Sequence, residues 1–247
     1  MLEDAEAILP LPEGGIMVIV RTSTERGRSQ LDWLDSQHTF SFDQYYDPQH
    51  MSFGPLRVIN EDVIEAGGGF GTHPHRDMEI ITYVIEGELK HRDSLGNGSV
   101  IRPGEIQKMS AGTGIKHSEF NASKEKPVHL LQIWIVPKTR NLKPRYEQEA
   151  FELKPGELSL LGSADGEGLV SIEQDVKLYG ARMEPGMKIA HDLADNSDAW
   201  IQMVKGACSV NGKELAAGDG AAITQGGEIM ISARESSELL LFDIARN

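Results

Sequence analysis

The chain has 247 residues, enough for one large or two small domains, and its 39% hydrophobic and 25% charged residues are ordinary for a globular protein. The net charge of −14, with no cluster of lysine or arginine, disfavours direct binding to nucleic acid. No apolar run is long enough to span a membrane, and the acidic residues 1–6 lack the features of a signal peptide. Cys208 is the single cysteine, so we expect a reducing, cytoplasmic setting.

The first half of the chain is predicted to be a series of short β-strands separated by turns. Strand-forming runs occur at residues 16–21, 56–60, 62–64, 79–86, 88–93, 100–102, 106–109 and 128–136. The last of these runs is nearly continuously apolar, as in a central strand, and Pro137 ends it. We expect the aromatic segment 32–47 to pack on these strands or to form the rim of a pocket. Helix is predicted to be sparse, with residues 150–153 as the best candidate.

A polar stretch at residues 138–144 precedes a second series of short strands that loosely repeats the first. Gly206 ends a strand in the second series at the place where Gly87 ends one in the first. Short strands, repeated twice, are typical of two β-barrels or sandwiches. We therefore predict an all-β fold with one barrel in residues 1–140 and another in residues 141–247.

Two short motifs in the first half each place two metal-binding side chains on one face of a strand. His73 and His75 form one pair, and His117 and Glu119 form the other. If the two strands are neighbours, the four side chains converge, and three imidazoles with one carboxylate suit one divalent first-row transition metal. Surface histidines beside turns are the alternative, but two such pairs in one stretch favour a metal site.

Other polar residues are interpreted more conservatively. Glu79 could support a ligating histidine, or it could be a polar residue at the mouth of its strand. His38, His50 and His129 are isolated, so each is interpreted as a hydrogen-bonded structural residue. In the second series the corresponding place holds only His191 followed by an aspartate, which predicts a second barrel without a metal.

The order of these residues resembles the two sequence motifs of the cupin superfamily. The residues of the first motif, with one extra residue before the last glycine, are Gly67, His73, His75, Glu79 and Gly87. Those of the second, with two extra residues before the histidine, are Gly104, Gly112, His117 and Asn121. Ser110 also stands where proline is usual. These departures resemble the pirin family of two-cupin (bicupin) proteins, and most closely its bacterial quercetin 2,3-dioxygenases.

The resemblance implies an N-terminal cupin barrel that holds iron, or else manganese, cobalt, nickel, copper or zinc, through His73, His75, His117 and Glu119. It implies a C-terminal barrel without metal. It also implies a dioxygenase that opens the heterocycle of a quercetin-like flavonol with O₂ and releases carbon monoxide. Glu119 would then be the catalytic base for the flavonol hydroxyl, although a purely structural ligand is an equal alternative.

The pirin family also includes transcription cofactors and partners of metabolic enzymes, so the resemblance leaves other functions open. One alternative is a metal-containing regulatory module that binds a protein partner. Another is a different cupin reaction on a chelating enol substrate.

Overall fold

The computed structural model describes residues 16–246, in which almost all regular elements are β-strands. In chain order these are β1 Met17–Arg21, β2 Gly27–Leu31, β3 Leu34–His38, β4 Leu56–Ile64, β5 Gly69–His75, β6 Glu79–Glu86, β7 Leu89–Asp93, β8 Gly98–Ile101, β9 Glu105–Ser110, β10 Ile115–Asn121, β11 Val128–Ile135, β12 Arg145–Ala150, β13 Leu158–Ser163, β14 Val170–Ser171, β15 Val176–Met183, β16 Lys188–Leu193, β17 Ser197–Lys205, β18 Ala207–Val210, β19 Lys213–Ala216, β20 Gly220–Thr224, β21 Gly227–Ala233 and β22 Ser237–Ala245. The all-β prediction is confirmed.

The described part of the chain has one helix, the short 3₁₀ turn Ser23–Glu25. The helix predicted at residues 150–153 is wrong, because Ala150 ends β12 and irregular backbone follows it. Within residues 16–246 no helix has the length and apolar character needed to cross a membrane. The acidic residues 1–6, on which the signal-peptide prediction depends, lie outside the described residues.

The strands form two pairs of sheets that repeat one architecture. In the first half, a seven-stranded sheet with the order β12-β9-β6-β11-β4-β3-β2 lies over a four-stranded sheet with the order β5-β10-β7-β8. In the second half, the corresponding sheets have the orders β1-β20-β17-β22-β15-β13-β14 and β16-β21-β18-β19. Every paired strand is antiparallel to its neighbour except β14, which runs parallel to β13.

Two strands pair across the boundary predicted at residue 140. β1, from the start of the described chain, pairs with β20 through five residue pairs. β12, which follows the polar stretch 138–144, pairs with β9 through six. Each half of the chain therefore adds an edge strand to the large sheet of the other half. The division into residues 1–140 and 141–247 stays a prediction.

The two seven-stranded sheets pack face to face through one apolar cluster. Ile81, Tyr83 and Ile85 of β6 belong to the same buried cluster as Trp200 of β17 and Phe242 of β22. Burial of each such side chain stabilises the fold by about 1.5–3 kcal/mol. Truncation of Phe242 to alanine would therefore be among the most damaging single changes, at about 3–5 kcal/mol.

Glu79 begins β6 on the face that packs against the other barrel, and it contacts no histidine among the described residues. Its Oε2 lies 2.9 Å from Nζ of Lys108, and both side chains are almost fully buried. Ser110 donates a hydrogen bond to the same oxygen at 3.0 Å, and the backbone N–H of Glu173, in the second half, lies 3.4 Å away. The structure thus pairs Glu79 with a lysine at the interface between the barrels, and it does not support a ligating histidine.

Candidate metal centre

Strands β5 and β10 are antiparallel neighbours, which brings the two predicted ligand motifs together. His73 lies directly opposite His117. The ring centroids are 4.4 Å apart for His73 and His117, and 4.8 Å apart for His75 and His117. One ring nitrogen from each of the three histidines lies within 4.8 Å of the others. These three side chains could hold one metal ion.

Glu119 belongs to an adjoining group that shares His117. A carboxylate oxygen of Glu119 and one ring nitrogen each of His117 and His91 also lie within 4.8 Å of one another. His91 sits on β7, directly opposite Glu119 on β10, and is fully buried. His91 was not predicted from the sequence as a site residue. The available signal was the alternation Leu89, His91, Asp93, which places the imidazole on the buried face of its strand.

Several ring nitrogens in these groups are buried and have no hydrogen-bond partner among residues 16–246. They are Nε2 of His75, Nδ1 of His91 and both ring nitrogens of His117. An unpaired buried polar atom costs about 1–3 kcal/mol, so a cluster of them calls for an explanation. His73 differs, because its Nδ1 lies 2.8 Å from the carbonyl oxygen of Gly71. That bond fixes a proton on Nδ1 and leaves Nε2 free to coordinate.

The electrostatic setting keeps His75 and His117 neutral. Burial, reinforced by the neighbouring histidines, lowers the pKa of His117 to about 2 and that of His75 to about 4. Neutral imidazole is the form that donates a lone pair to a metal. The buried, neutral imidazoles and the adjacent carboxylate therefore fit a divalent transition metal.

Gln132 on β11 holds the carboxylate of Glu119. Its Nε2 lies 2.8 and 2.9 Å from the two oxygens of Glu119, and 3.3 Å from the hydroxyl of Thr82. Burial raises the pKa of Glu119 to about 7, although the hydrogen bond from Gln132 opposes this. Gln132 was not predicted from the sequence either. A glutamine in the middle of the nearly continuous apolar run 128–136 was its only signal.

A cavity of about 700 Å³ opens beside the histidines. Its apolar lining includes Leu34, Phe42, Phe70, Ile80 and Trp134, and the Trp134 ring lies 4.9 Å from that of His75. Clefts of this size, mostly apolar with a few convergent polar groups, are typical of small-molecule sites. Flat aromatic walls suit a planar ligand.

The aromatic segment 32–47 was predicted to pack on the strands or to form the rim of a pocket, and different residues of it do each. Phe42 and Tyr45 line the cavity, whereas Phe40 is buried at the interface between the barrels, with its ring 5.0 Å from that of Trp200. His38 is hydrogen-bonded to Asn60, so its structural interpretation is confirmed. The other isolated histidines are also hydrogen-bonded, His50 to Asp47 and His129 to Glu61.

The corresponding part of the second barrel has different chemistry. Nε2 of His191 on β16 lies 3.0 Å from a carboxylate oxygen of Asp243. On the neighbouring strand β21, buried positions hold Ile229 and Ile231. Within residues 16–246, both candidate metal-binding groups lie in the first half of the chain.

Two barrels of this topology, one with histidines and a glutamate in its interior, define a two-cupin protein. The family model described as Pirin matches residues 20–135, and that described as Quercetinase C-terminal cupin domain matches residues 160–244. The chain belongs to the pirin family. The predicted family and bicupin fold are thus confirmed.

Curated relatives and solved structures agree with this assignment. Quercetin 2,3-dioxygenase of Escherichia coli K12 is 48% identical over 92% of this chain and 99% of its own length. A putative quercetin 2,3-dioxygenase of Pasteurella multocida is 44% identical over 92% of this chain and its whole length. The crystal structure of the bacterial pirin YhhW from E. coli in complex with nickel(II) has a TM-score of 0.90 and 48% identity, and the match covers 94% of this chain and all of that one.

Proposed function

We propose that this protein is a metal-dependent dioxygenase that acts on a quercetin-like flavonol. The observation that carries the proposal is the cluster of buried, unpaired imidazole nitrogens beside a cavity with aromatic walls. The names of the relatives and the nickel(II) complex of the E. coli pirin support it. The proposed reaction adds both atoms of O₂ to the flavonol, opens its heterocycle and releases one ring carbon as carbon monoxide.

His73, His75, His117 and Glu119 would hold one divalent ion, as the sequence analysis predicted. Iron remains our first choice, and manganese, cobalt, nickel, copper or zinc also suit a donor set of three nitrogens and one oxygen. When bound, the ion lowers the pKa of a coordinating hydroxyl and supplies the Lewis-acid or redox chemistry that a reaction with O₂ requires. His91 completes the buried surroundings of His117 and Glu119.

Glu119 is the residue that we propose as the base for the flavonol 3-hydroxyl. The two hydrogen bonds from Gln132 fix the direction of its carboxylate beside the histidines. A carboxylate held at the reacting hydroxyl can accept its proton, and a weak base suffices because the hydroxyl is acidified. Phe42, Phe70 and Trp134 would pack against the flat rings and exclude water.

We also propose that a small aromatic substrate and O₂ are the partners of this site, with no direct contact to nucleic acid. The net charge of −14 supports the absence of direct contact to nucleic acid, because the phosphate backbone is also negatively charged. Cys208 is buried and unpaired, which supports the proposed cytoplasmic setting.

The test uses protein purified without a histidine tag and loaded in turn with iron(II), manganese(II) or nickel(II). We expect uptake of O₂ with quercetin in at least one metal form, with one carbon monoxide released per O₂, and loss of both signals after a chelator. Metal-loaded protein that binds quercetin but consumes no O₂ would contradict the proposal. That outcome would favour a protein-binding module or another cupin reaction.

A further inference from the structure

The wall of the cavity beyond Gln132 carries a polar pair that the proposed chemistry does not use. Asn60 and Asp62 are alternate residues of β4, both are at most 4% exposed, and both line the cavity. Asn60 lies directly across from Gln132, the residue that holds Glu119. Because neighbouring strands are about 4.8 Å apart, the pair lies roughly that far across the sheet from Gln132.

His38 fixes the orientation of the Asn60 amide. Nδ1 of His38 lies 2.9 Å from Oδ1 of Asn60, and its Nε2 lies 2.8 Å from the hydroxyl of Ser29. An amide oxygen only accepts, so Nδ1 carries the proton and Nε2 accepts the proton of Ser29. The amino group of Asn60 is thereby left as a donor, and it has no partner among the described residues.

Asp62 supplies the complementary acceptor. The hydroxyl of Ser36 donates to Oδ1 of Asp62 at 2.5 Å, and Oδ2 has no hydrogen-bond partner within residues 16–246. Neither Oδ2 of Asp62 nor Nδ2 of Asn60 is enclosed away from solvent, so both atoms open onto the cavity that the pair lines. An unused donor and an unused acceptor on alternate residues of one strand are therefore suited to a ligand.

We propose that Asn60 and Asp62 bind phenolic hydroxyl groups of the substrate that do not belong to its chelating group. The proposal rests on the proposed function and names a substrate class, a planar chelating enol with hydroxyl groups on an outer ring. One hydroxyl would donate to Oδ2 of Asp62. Its oxygen, or that of an adjacent hydroxyl, would accept from Nδ2 of Asn60.

Two probes separate this contact from binding at the metal. Quercetin carries phenolic hydroxyls on both outer rings, whereas 3-hydroxyflavone has the same chelating group and none of those hydroxyls. Each is titrated without oxygen against the metal-loaded protein, and the dissociation constant is read from the absorbance of the ligand.

Asp62→Asn keeps the shape of the side chain and removes its charge. It should weaken quercetin binding by roughly 10-fold or more and change 3-hydroxyflavone binding by less than about threefold. Asp32→Asn is the matched control, because it makes the same charge change at an exposed residue of the first barrel that does not line the cavity. It should leave both dissociation constants unchanged.

Ser36→Ala is a second, milder variant that removes the hydroxyl orienting Asp62. It should shift the preference between the two probes in the same direction, which keeps the proposal testable if Asp62→Asn folds poorly. Equal weakening of both probes, or no weakening of quercetin, would overturn the proposal.

The proposed function has its own readout, the uptake of O₂ by the wild-type protein. Wild-type protein that binds both probes but consumes no O₂ contradicts the proposed function, and the ratio of the two affinities still decides the role of Asp62. A wild-type protein that binds neither probe overturns both proposals.

Discussion

The two barrels share one strand order but have opposite interiors. In the first barrel, the buried positions of β10 include His117 and Glu119. In the second, the buried positions of β21 include Ile229 and Ile231, which belong to a continuous apolar cluster that fills the barrel. The four-stranded sheet that carries candidate ligands in one half therefore carries a hydrophobic core in the other.

This difference shows that two barrels of one architecture can have different roles. The first barrel carries the polar groups of the candidate site, and the second carries a continuous hydrophobic core. The interior of the first barrel has two smaller apolar clusters, one including Leu34 and Leu89 and the other including Ile80 and Ile115, with the cavity reaching both. Buried carboxyls, and imidazole nitrogens that have no hydrogen-bond partner in the described part of the chain, destabilise that interior. The second barrel is filled with apolar side chains and packs against the first through a large apolar cluster, and burial of that surface favours the folded state.

The largest expected effect separates the histidines of the two barrels. His117→Ala removes the residue shared by both candidate ligand groups, so bound metal should fall from about one ion per chain to nearly none. His191→Ala, in the second barrel, should leave the metal content unchanged, because His191 pairs with Asp243. Elemental analysis of protein without a tag measures both. About two ions per chain in the wild type would contradict the prediction that the first barrel alone binds metal.

The second expected effect tests the interface that joins the barrels. Lys108→Met leaves the carboxylate of Glu79 buried without its cation, which should lower the free energy of unfolding by about 3–5 kcal/mol. The control is Lys138→Met, which breaks an exposed pair with Asp175 and should cost less than about 1 kcal/mol. Urea denaturation measures both variants. Equal, small losses would mean that the buried pair adds little to the joining of the barrels.

The sequence was sufficient for features that depend on local periodicity. Side chains alternate along a strand, so the spacing alone assigns His73 with His75, and His117 with Glu119, to common faces. The repeat of short strands and turns likewise predicted two all-β units. The structure confirms the fold and brings the three histidines together.

Features that depend on non-local register could not be predicted in this way. His91 and Gln132 are single polar residues on strands of their own, and only the pairing of those strands places them beside Glu119. Glu79 lies on β6, which is buried on both faces, so alternation alone could not tell the barrel interior from the interface. The exchange of β1 and β12 between halves also depends on pairing across the whole chain.

The third prediction tests whether Glu119 works as a base. Glu119→Gln should keep much of the metal, because an amide oxygen can still coordinate and can still accept from Gln132. Turnover of quercetin should fall by roughly 100-fold, and the loss should shrink as pH rises because the substrate then ionises in solution. Glu119→Ala should lose more metal and show less of this recovery. Turnover by metal-loaded Glu119→Gln at the wild-type rate would make Glu119 a structural ligand only.

The smallest expected effect concerns stability. It tests whether ionisation of Asp62, in the wall of the cavity, lowers the free energy of unfolding. Burial raises the pKa of Asp62 to about 6 from an ordinary value of 3.8, even though the Ser36 hydroxyl donates to it. The folded protein therefore holds this proton to higher pH than the unfolded chain does. The contribution of Asp62 to the free energy of unfolding should fall as pH rises from about 4 to about 6, with an upper limit of about 3 kcal/mol and no further change above that range.

Asp62→Asn removes this ionisation and keeps an oxygen that can accept from Ser36. The variant should therefore be more stable than the wild type by about 1–2 kcal/mol near pH 8 and equally stable near pH 4, as measured by urea denaturation of the metal-free proteins. Asp43→Asn, on the exposed loop at the cavity, should stay within about 0.5 kcal/mol of the wild type at both pH values. A wild type that is the more stable protein near pH 8 would show that the carboxylate is well solvated or paired. A stabilised Asp62→Asn that also binds quercetin more weakly would instead show that this carboxyl is kept for binding, since a residue that served only the core would not be improved by its own removal.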